Sequence, residues 1–158
     1  MTADSVPFLL DSNILVYALD TTEGRKHILA NALLQKCFQG TAHYAVSLQN
    51  ISEFFYVITE KISHPLTPDA AKDFAKKMVE FRGFKVLVPS PQTILAGMEL
   101  KEKHGAHFWD ALLGAVMKEH GITTLYTEDT KDFGKIPGIT PIKPFTEKKK
   151  LNGNGGEL

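Results

Sequence analysis

The stretch Phe8-Leu9-Leu10-Asp11-Ser12-Asn13-Ile14-Leu15-Val16-Tyr17-Ala18 decides how the chain is read. Phe8 to Leu10 is a short apolar run that stops at an acid, and it predicts a buried first strand. Asp11, Ser12 and Asn13 are helix-starting residues, and the apolar residues behind them predict a short helix. A buried strand that hands over to a helix at an aspartate suggests a parallel sheet, whose strands are joined by helical crossovers.

Working outward, the same alternation continues. A second helix is predicted over about 24–37, with Ile28, Leu29, Ala32 and Leu33 as its apolar stripe. A second strand follows over 42–47. Ser47 opens a third helix whose Ile51, Phe54, Phe55 and Ile58 recur at helical spacing. His64-Pro65-Leu66 breaks it. Thr67-Pro68 restarts a helix with a cap residue and a first-turn proline, and Ala71, Phe74, Ala75 and Met78 form its stripe. A third strand is predicted over 84–88. Ser90-Pro91 starts a helix through Ile94, Leu95 and Met98 to about Lys103, and Gly105 ends it. Phe108, Ala111, Leu112, Ala115 and Val116 make a further helix closed by Gly121. Strands over 122–126 and, shorter, 139–142 complete the pattern. The reading is α/β: a three-layer αβα sandwich on a central, mostly parallel sheet of four or five strands.

At 158 residues one domain is expected, over 1–145. The end of the chain, 146–158, carries Lys148-Lys149-Lys150 and a Gly/Asn-rich run, offers no apolar area to bury, and is expected to be a disordered tail. The single cysteine, Cys37, rules out an internal disulfide framework and reads as a buried thiol. Met1-Thr2-Ala3-Asp4-Ser5 does not have the basic, then apolar, pattern of a signal peptide, and no run approaches the ~18 apolar residues of a membrane span. A cytoplasmic location and no membrane partner are therefore expected. Eighteen basic and eighteen acidic residues cancel. That excludes a protein holding nucleic acid by bulk charge alone, but not an enzyme whose carboxylates bind a cation that in turn binds phosphate.

Ligands of open parallel sheets bind at the carboxyl ends of the strands. Asp11 ends the first strand, and Glu128 and Asp129 end the fourth. Each also has an ordinary use. Asp11 can cap the helix behind it, worth ~1 kcal/mol, and Asp129 can form an Asx turn. Glu53 sits beside an apolar stripe, where a solvated glutamate is the bland alternative. Asp110 lies at a helix start, where the dipole favours an acid. However, its i+3 and i+4 neighbours, Leu113 and Gly114, belong to an apolar face, and a carboxylate buried there must be paired or bind a cation.

Four segments now stand in order: Leu10-Asp11-Ser12-Asn13-Ile14-Leu15, Ser52-Glu53-Phe54, Trp109-Asp110-Ala111-Leu112-Leu113-Gly114-Ala115 and Tyr126-Thr127-Glu128-Asp129-Thr130-Lys131-Asp132-Phe133. Together they resemble the PIN-domain family, most closely the VapC-type toxin nucleases, over Phe8 to Phe145. The resemblance implies a metal-dependent endoribonuclease using Mg2+ or Mn2+, with Asp11, Glu53, Asp110 and Asp129 as catalytic and metal-binding residues. It implies Ser12, Asn13 and Thr127 as hydrogen-bonding residues behind them and Asp132 as a further acid. Glu128 is set aside, because neighbours on an extended segment point opposite ways. The implied partners are an RNA substrate, an antitoxin protein and a second copy of the chain.

Crowded carboxylates repel, so some should hold their protons without metal. Asp→Asn at Asp11 and Asp110 is then expected to leave the fold intact and raise metal-free stability. Arg25, Lys26, Lys103, Lys131 and Lys135 read as ordinary solvated charge, His104 and His107 as surface residues rather than a zinc site, and Trp109 as packing. Two rival functions are weighed. A haloacid-dehalogenase-type phosphatase needs a second aspartate where Asn13 stands. A non-catalytic metal- or RNA-binding module of the same fold, if a degenerate nuclease, usually lacks one of the acids, and none is missing.

Overall fold

Leu9 and Leu10 are both fully buried, yet they face opposite ways, and this forces a layer of helices onto each side of the first strand. The computed structural model describes residues 5–145. The tail expected over 146–158, with its lysine run, lies outside the described residues, as do residues 1–4. Five strands form one sheet: β1 (Phe8–Leu10), β2 (Tyr44–Ser47), β3 (Phe84–Leu87), β4 (Thr124–Tyr126) and β5 (Thr140–Ile142). Their order is β3-β2-β1-β4-β5, and every pairing is parallel. The sheet thus has five strands and no antiparallel member among the described residues.

Seven α-helices flank the sheet among the described residues: α1 (Ser12–Leu19), α2 (Arg25–Phe38), α3 (Leu48–Glu60), α4 (Pro68–Glu80), α5 (Pro91–His104), α6 (Phe108–Glu119) and α7 (Thr130–Phe133). Leu10, Tyr44, Val46 and Phe84 pack with the buried sides of α1 to α4 in one core. Leu9, Ala45, Leu87 and Leu125 pack with α6 and α7 in the other. The alternation Leu9/Leu10 and Ala45/Val46 therefore serves both cores, giving the three layers expected. Caps fall where the residue types put them: Ser47, Thr67 and Ser90 each accept a hydrogen bond from the first turn of their helix, with Pro68 and Pro91 behind the last two.

Two stripes differ from expectation. In α2 the buried residues are Ala30, Leu34 and Cys37, while Ile28 is exposed. The helix is apolar on several sides, and periodicity alone does not say which side faces the sheet. In α5 the buried residues are Thr93 and Gly97, and Ile94, Leu95 and Met98 face outward. The reason is close approach: a Cβ on Gly97 would lie 2.9 Å from the Leu112 Cα of α6, so the small face, not the oily one, turns inward. A 3-10 turn over Thr21–Glu23 and helix α7 were not expected. Both are short and capped by an aspartate, Asp20 and Asp129. Cys37 is buried, and burial pushes its thiol up to about 11.

Strand order reverses between β1 and β4: the chain runs β1, β2, β3 to one side, then β4, β5 to the other. A crevice opens at the carboxyl ends of strands at such a switch point. Asp11 immediately follows β1, and Thr127 to Asp129 follow β4.

Candidate active site

Asp11 caps α1, and its carboxylate is the best-held group in the crevice. Only 7% exposed, it accepts hydrogen bonds from Ser12 N (2.8 Å), Asn50 Nδ2 (3.3 Å), Thr127 Oγ1 (2.7 Å) and Asn13 Nδ2 (3.5 Å). Its backbone N–H donates to the Tyr126 carbonyl (3.0 Å), which continues the β1–β4 ladder to the edge of the site. Burial raises the Asp11 pKa against the pull of the Thr127 and Ser12 donors.

Glu53 lies on α3 and faces the same crevice. One oxygen accepts from Ser12 Oγ (2.8 Å) and the other from Gln49 Nε2 (2.8 Å). Ser12 thus joins Glu53 to the cap of α1. Thr127 joins β1 to β4, donating to Asp11 while accepting from Asp129 N (3.0 Å). Asp129 caps α7 through Asp132 N (3.3 Å).

Asp110, in the first turn of α6, is half-buried, and its pKa is pushed up to about 7. Burial is the main cause, followed by the charges of Asp129, Asp11, Asp132 and Glu53. The other three acids named from the family pattern, and Asp132, therefore all act on the Asp110 carboxyl group. The tightest set is Asp110, Asp129 and Asp132, which can each bring one carboxylate oxygen within 4.8 Å of the others. Asp132 stands nearer the centre than its expected supporting place. Its pKa is lowered by the Lys135 ammonium, 2.7 Å away.

This donor set suits a hard divalent cation: it is all carboxylate oxygen, with hydroxyl and amide groups behind it. The mutual strain on Asp110 is relieved by a cation, which is what such crowding favours. Asn13 Oδ1 adds a buried acceptor with no partner.

Other residues fall elsewhere. Glu128 pairs with Lys26 at 3.4 Å, and Lys26 also lies 4.9 Å over the Tyr17 ring. Lys135 is not free solvated charge, since it bridges Asp132 and the Gly105 carbonyl. Lys103, Lys131, Arg25 and His107 are exposed. Trp109, expected to pack, is 52% exposed.

Sequence reasoning missed Asn50. It is fully buried, and its Oδ1 accepts from both Ser47 N (3.0 Å) and Ser47 Oγ (2.8 Å). The backbone N–H can only donate, so Oδ1 must face Ser47 and Nδ2 must face Asp11. A buried amide at the third position of a capping box was the available signal. Asn50→Ala is expected to cost roughly 2–4 kcal/mol in urea unfolding, because a buried donor and part of the Asp11 shell lose their partner. Asn50→Thr should recover the capping share, since Ser90 and Thr93 make the same box in α5.

A pH dependence follows from Asp110. Its proton is held more tightly in the folded state (about 7) than in the unfolded chain (3.8), so the stability it contributes is full below the lower value and lost as pH rises through the higher. Asp132 is shifted the other way, and its effect lies below about pH 4. Metal-free protein should therefore lose about 1–2 kcal/mol between about pH 5 and pH 8, after discount for solvent screening. Calorimetry in chelator measures this, and Mn2+ at the higher pH should reverse the loss.

The family model described as PIN domain matches residues 8–139. Sequence comparison with curated proteins gives no match. Among solved structures, the fold is similar to Mycobacterium tuberculosis VapC20, described as a sarcin–ricin loop cleaving toxin, with a TM-score of 0.62, 18% identity, and coverage of 78% of this chain and 91% of that one. It is similar to a chain of VapBC2 from Rickettsia felis, solved bound to promoter DNA (TM-score 0.60, 18% identity, 87% of this chain and 98% of that one). A toxin–antitoxin complex from Klebsiella pneumoniae gives a TM-score of 0.55 at 23% identity, covering 87% and 98% of the two chains. At these identities the likeness speaks for the fold.

Proposed function

Because this chain belongs to the PIN domain family, we propose that it is a divalent-metal-dependent endoribonuclease, acting as the toxin of a toxin–antitoxin pair, with Asp11, Glu53, Asp110 and Asp129 as its catalytic and metal-binding residues. The observation that carries this reading is the convergence of Asp110, Asp129 and Asp132 with Asp11 and Glu53 at the switch point of the sheet.

Asp110, Asp129 and Asp11 would hold Mg2+ or Mn2+, with Asp132 beside them. When bound, such a cation supplies Lewis acidity toward water and toward the phosphate of the substrate. The chain's own residues do the rest. The four donors on Asp11 fix its oxygens before substrate arrives. Asp110, whose pKa is raised to about 7, would serve as a ligand in its ionised form. Glu53 has one donor on each oxygen and keeps lone pairs free to orient water or take its proton. Water, not the ribose 2′-hydroxyl, is the nucleophile, so the products are a 5′-phosphate and a 3′-hydroxyl.

On the same reading, an antitoxin segment and a second copy of the chain are the partners. An apolar groove of about 640 Å3, lined by Leu19, Leu34, Phe38, Phe74 and Phe81, suits the former. The outward Ile94, Leu95 and Met98 of α5 suit the latter. Among the described residues no helix is long and apolar enough to cross a membrane, in keeping with a site of action in the cytoplasm. The domain is assigned to 1–145.

The test is purified protein incubated with RNA in Mg2+, Mn2+ or chelator, with product ends analysed. Cleavage is expected with either metal, to 5′-phosphate ends, and none in chelator. Cutting that survives chelation, or 2′,3′-cyclic products, would overturn the mechanism.

A further inference from the structure

Beside Glu53 lies a cavity of about 580 Å3 lined by Gln49, Ser52, Glu53, Tyr56, Trp109 and Leu112. We propose that this cavity is a stacking pocket for one nucleobase of a single-stranded RNA, with Tyr56 and Trp109 as its aromatic walls. The inference rests on the ribonuclease reading and adds where the substrate's base goes.

Four observations carry it. Tyr56 and Trp109 are 49% and 52% exposed, although large aromatic side chains that merely pack are far better covered. Glu53 lines both the acidic crevice and this cavity, and Trp109 is the residue before Asp110, so a base seated here has its phosphate within reach of the acids. The walls are already joined: Gln49 Nε2 donates to Glu53 Oε1 (2.8 Å) and to the Trp109 carbonyl (3.2 Å), tying α3 to α6. Lys61 Nζ lies 4.9 Å over the Tyr56 ring, which places a cation beside one wall for the phosphate of a neighbouring nucleotide.

The cavity volume falls in the range of small-ligand sites. Stacking on aromatic faces accepts any base but requires it to be unpaired, which selects loops and single strands. A second copy of the chain is the less fitting occupant. A dry protein interface here would bury the Glu53 carboxylate, and a two-fold pairing would bring two acidic crevices together.

Trp109 is the only tryptophan, so its fluorescence reports on this pocket alone. Asp110→Asn protein, which should not cut, is titrated with a short single-stranded oligoribonucleotide and then with the same sequence as a duplex. Saturable quenching by the single strand and much weaker quenching by the duplex are expected, with Tyr56→Ala weakening single-strand binding roughly 5- to 150-fold. In otherwise wild-type protein, Trp109→Ala should raise KM by a similar factor with kcat little changed, and Trp109→Phe should restore it. RNA that the wild type cuts but that leaves the emission unchanged overturns the pocket. So does emission that shifts with protein concentration alone, accompanied by loss of an oligomer and unchanged KM in Trp109→Ala. Quenching without any cleavage by the wild type would count against the hydrolase and in favour of the pocket.

Discussion

Asp110→Asn should lower RNA cleavage roughly 10^3-fold, about 4 kcal/mol of transition-state stabilisation, while raising the melting temperature of the metal-free protein. Both effects have one origin. Asp110 is held among Asp129, Asp11, Asp132 and Glu53, and its ionised form is opposed by burial and by every one of those charges. A neutral amide of the same shape removes the repulsion and with it the capacity to share a cation. The same variant should flatten the fall in stability between about pH 5 and pH 8, since the titrating group is gone.

Asp11→Asn should match it in activity but not in stability. Donors face the carboxylate from Ser12, Asn13, Asn50 and Thr127. An amide turns its own NH2 group against at least one of them, leaving buried donors face to face at about 1–3 kcal/mol. This prediction parts from the expectation that both substitutions stabilise: the sign is set by whether donors or other carboxylates dominate around the group. Kinetics with RNA in Mn2+ and melting curves in chelator check both halves. Equal melting shifts in the two variants would refute the distinction.

Phe54→Ala should be the most damaging change outside the site, at about 3–5 kcal/mol. Phe54 is fully buried in α3, its ring 5.2 Å from that of Phe74 in α4, and it belongs to the core on the α1–α4 side of the sheet. Native domains are stable by only about 5–15 kcal/mol, so a drop of roughly 10 °C in melting temperature follows. Its neighbour Phe55, one position on, is 38% exposed, and Phe55→Ala should cost under about 1 kcal/mol. Cleavage should fall in Phe54→Ala even below its melting point, because the packing that seats Phe54 also sets the direction of Glu53 on the adjoining face of α3. Denaturant unfolding of the pair measures the difference, and similar costs for Phe54 and Phe55 would contradict the assigned face.

What the chain's own order of residues determined is the strand–helix alternation, the parallel sheet, and the acids at Asp11, Glu53, Asp110 and Asp129 as candidates. These follow from local causes: apolar runs, cap residues, prolines and glycines act over a few neighbours and need no partner far away. The tertiary structure decided which face of a helix turns inward. Ile28 and the Ile94, Leu95, Met98 group look like core by spacing and lie outside, because Gly97 admits Leu112 where a larger residue would not. It also decided the working state of the site. Asn50 and Asp11 are 39 residues apart, and Thr127 and Asp11 are 116 apart. The charge that raises Asp110 comes from four other carboxylates, on α3, α7 and the turns after β1 and β4. Electrostatic and hydrogen-bond energies depend on distance through space, and only the folded chain sets those distances.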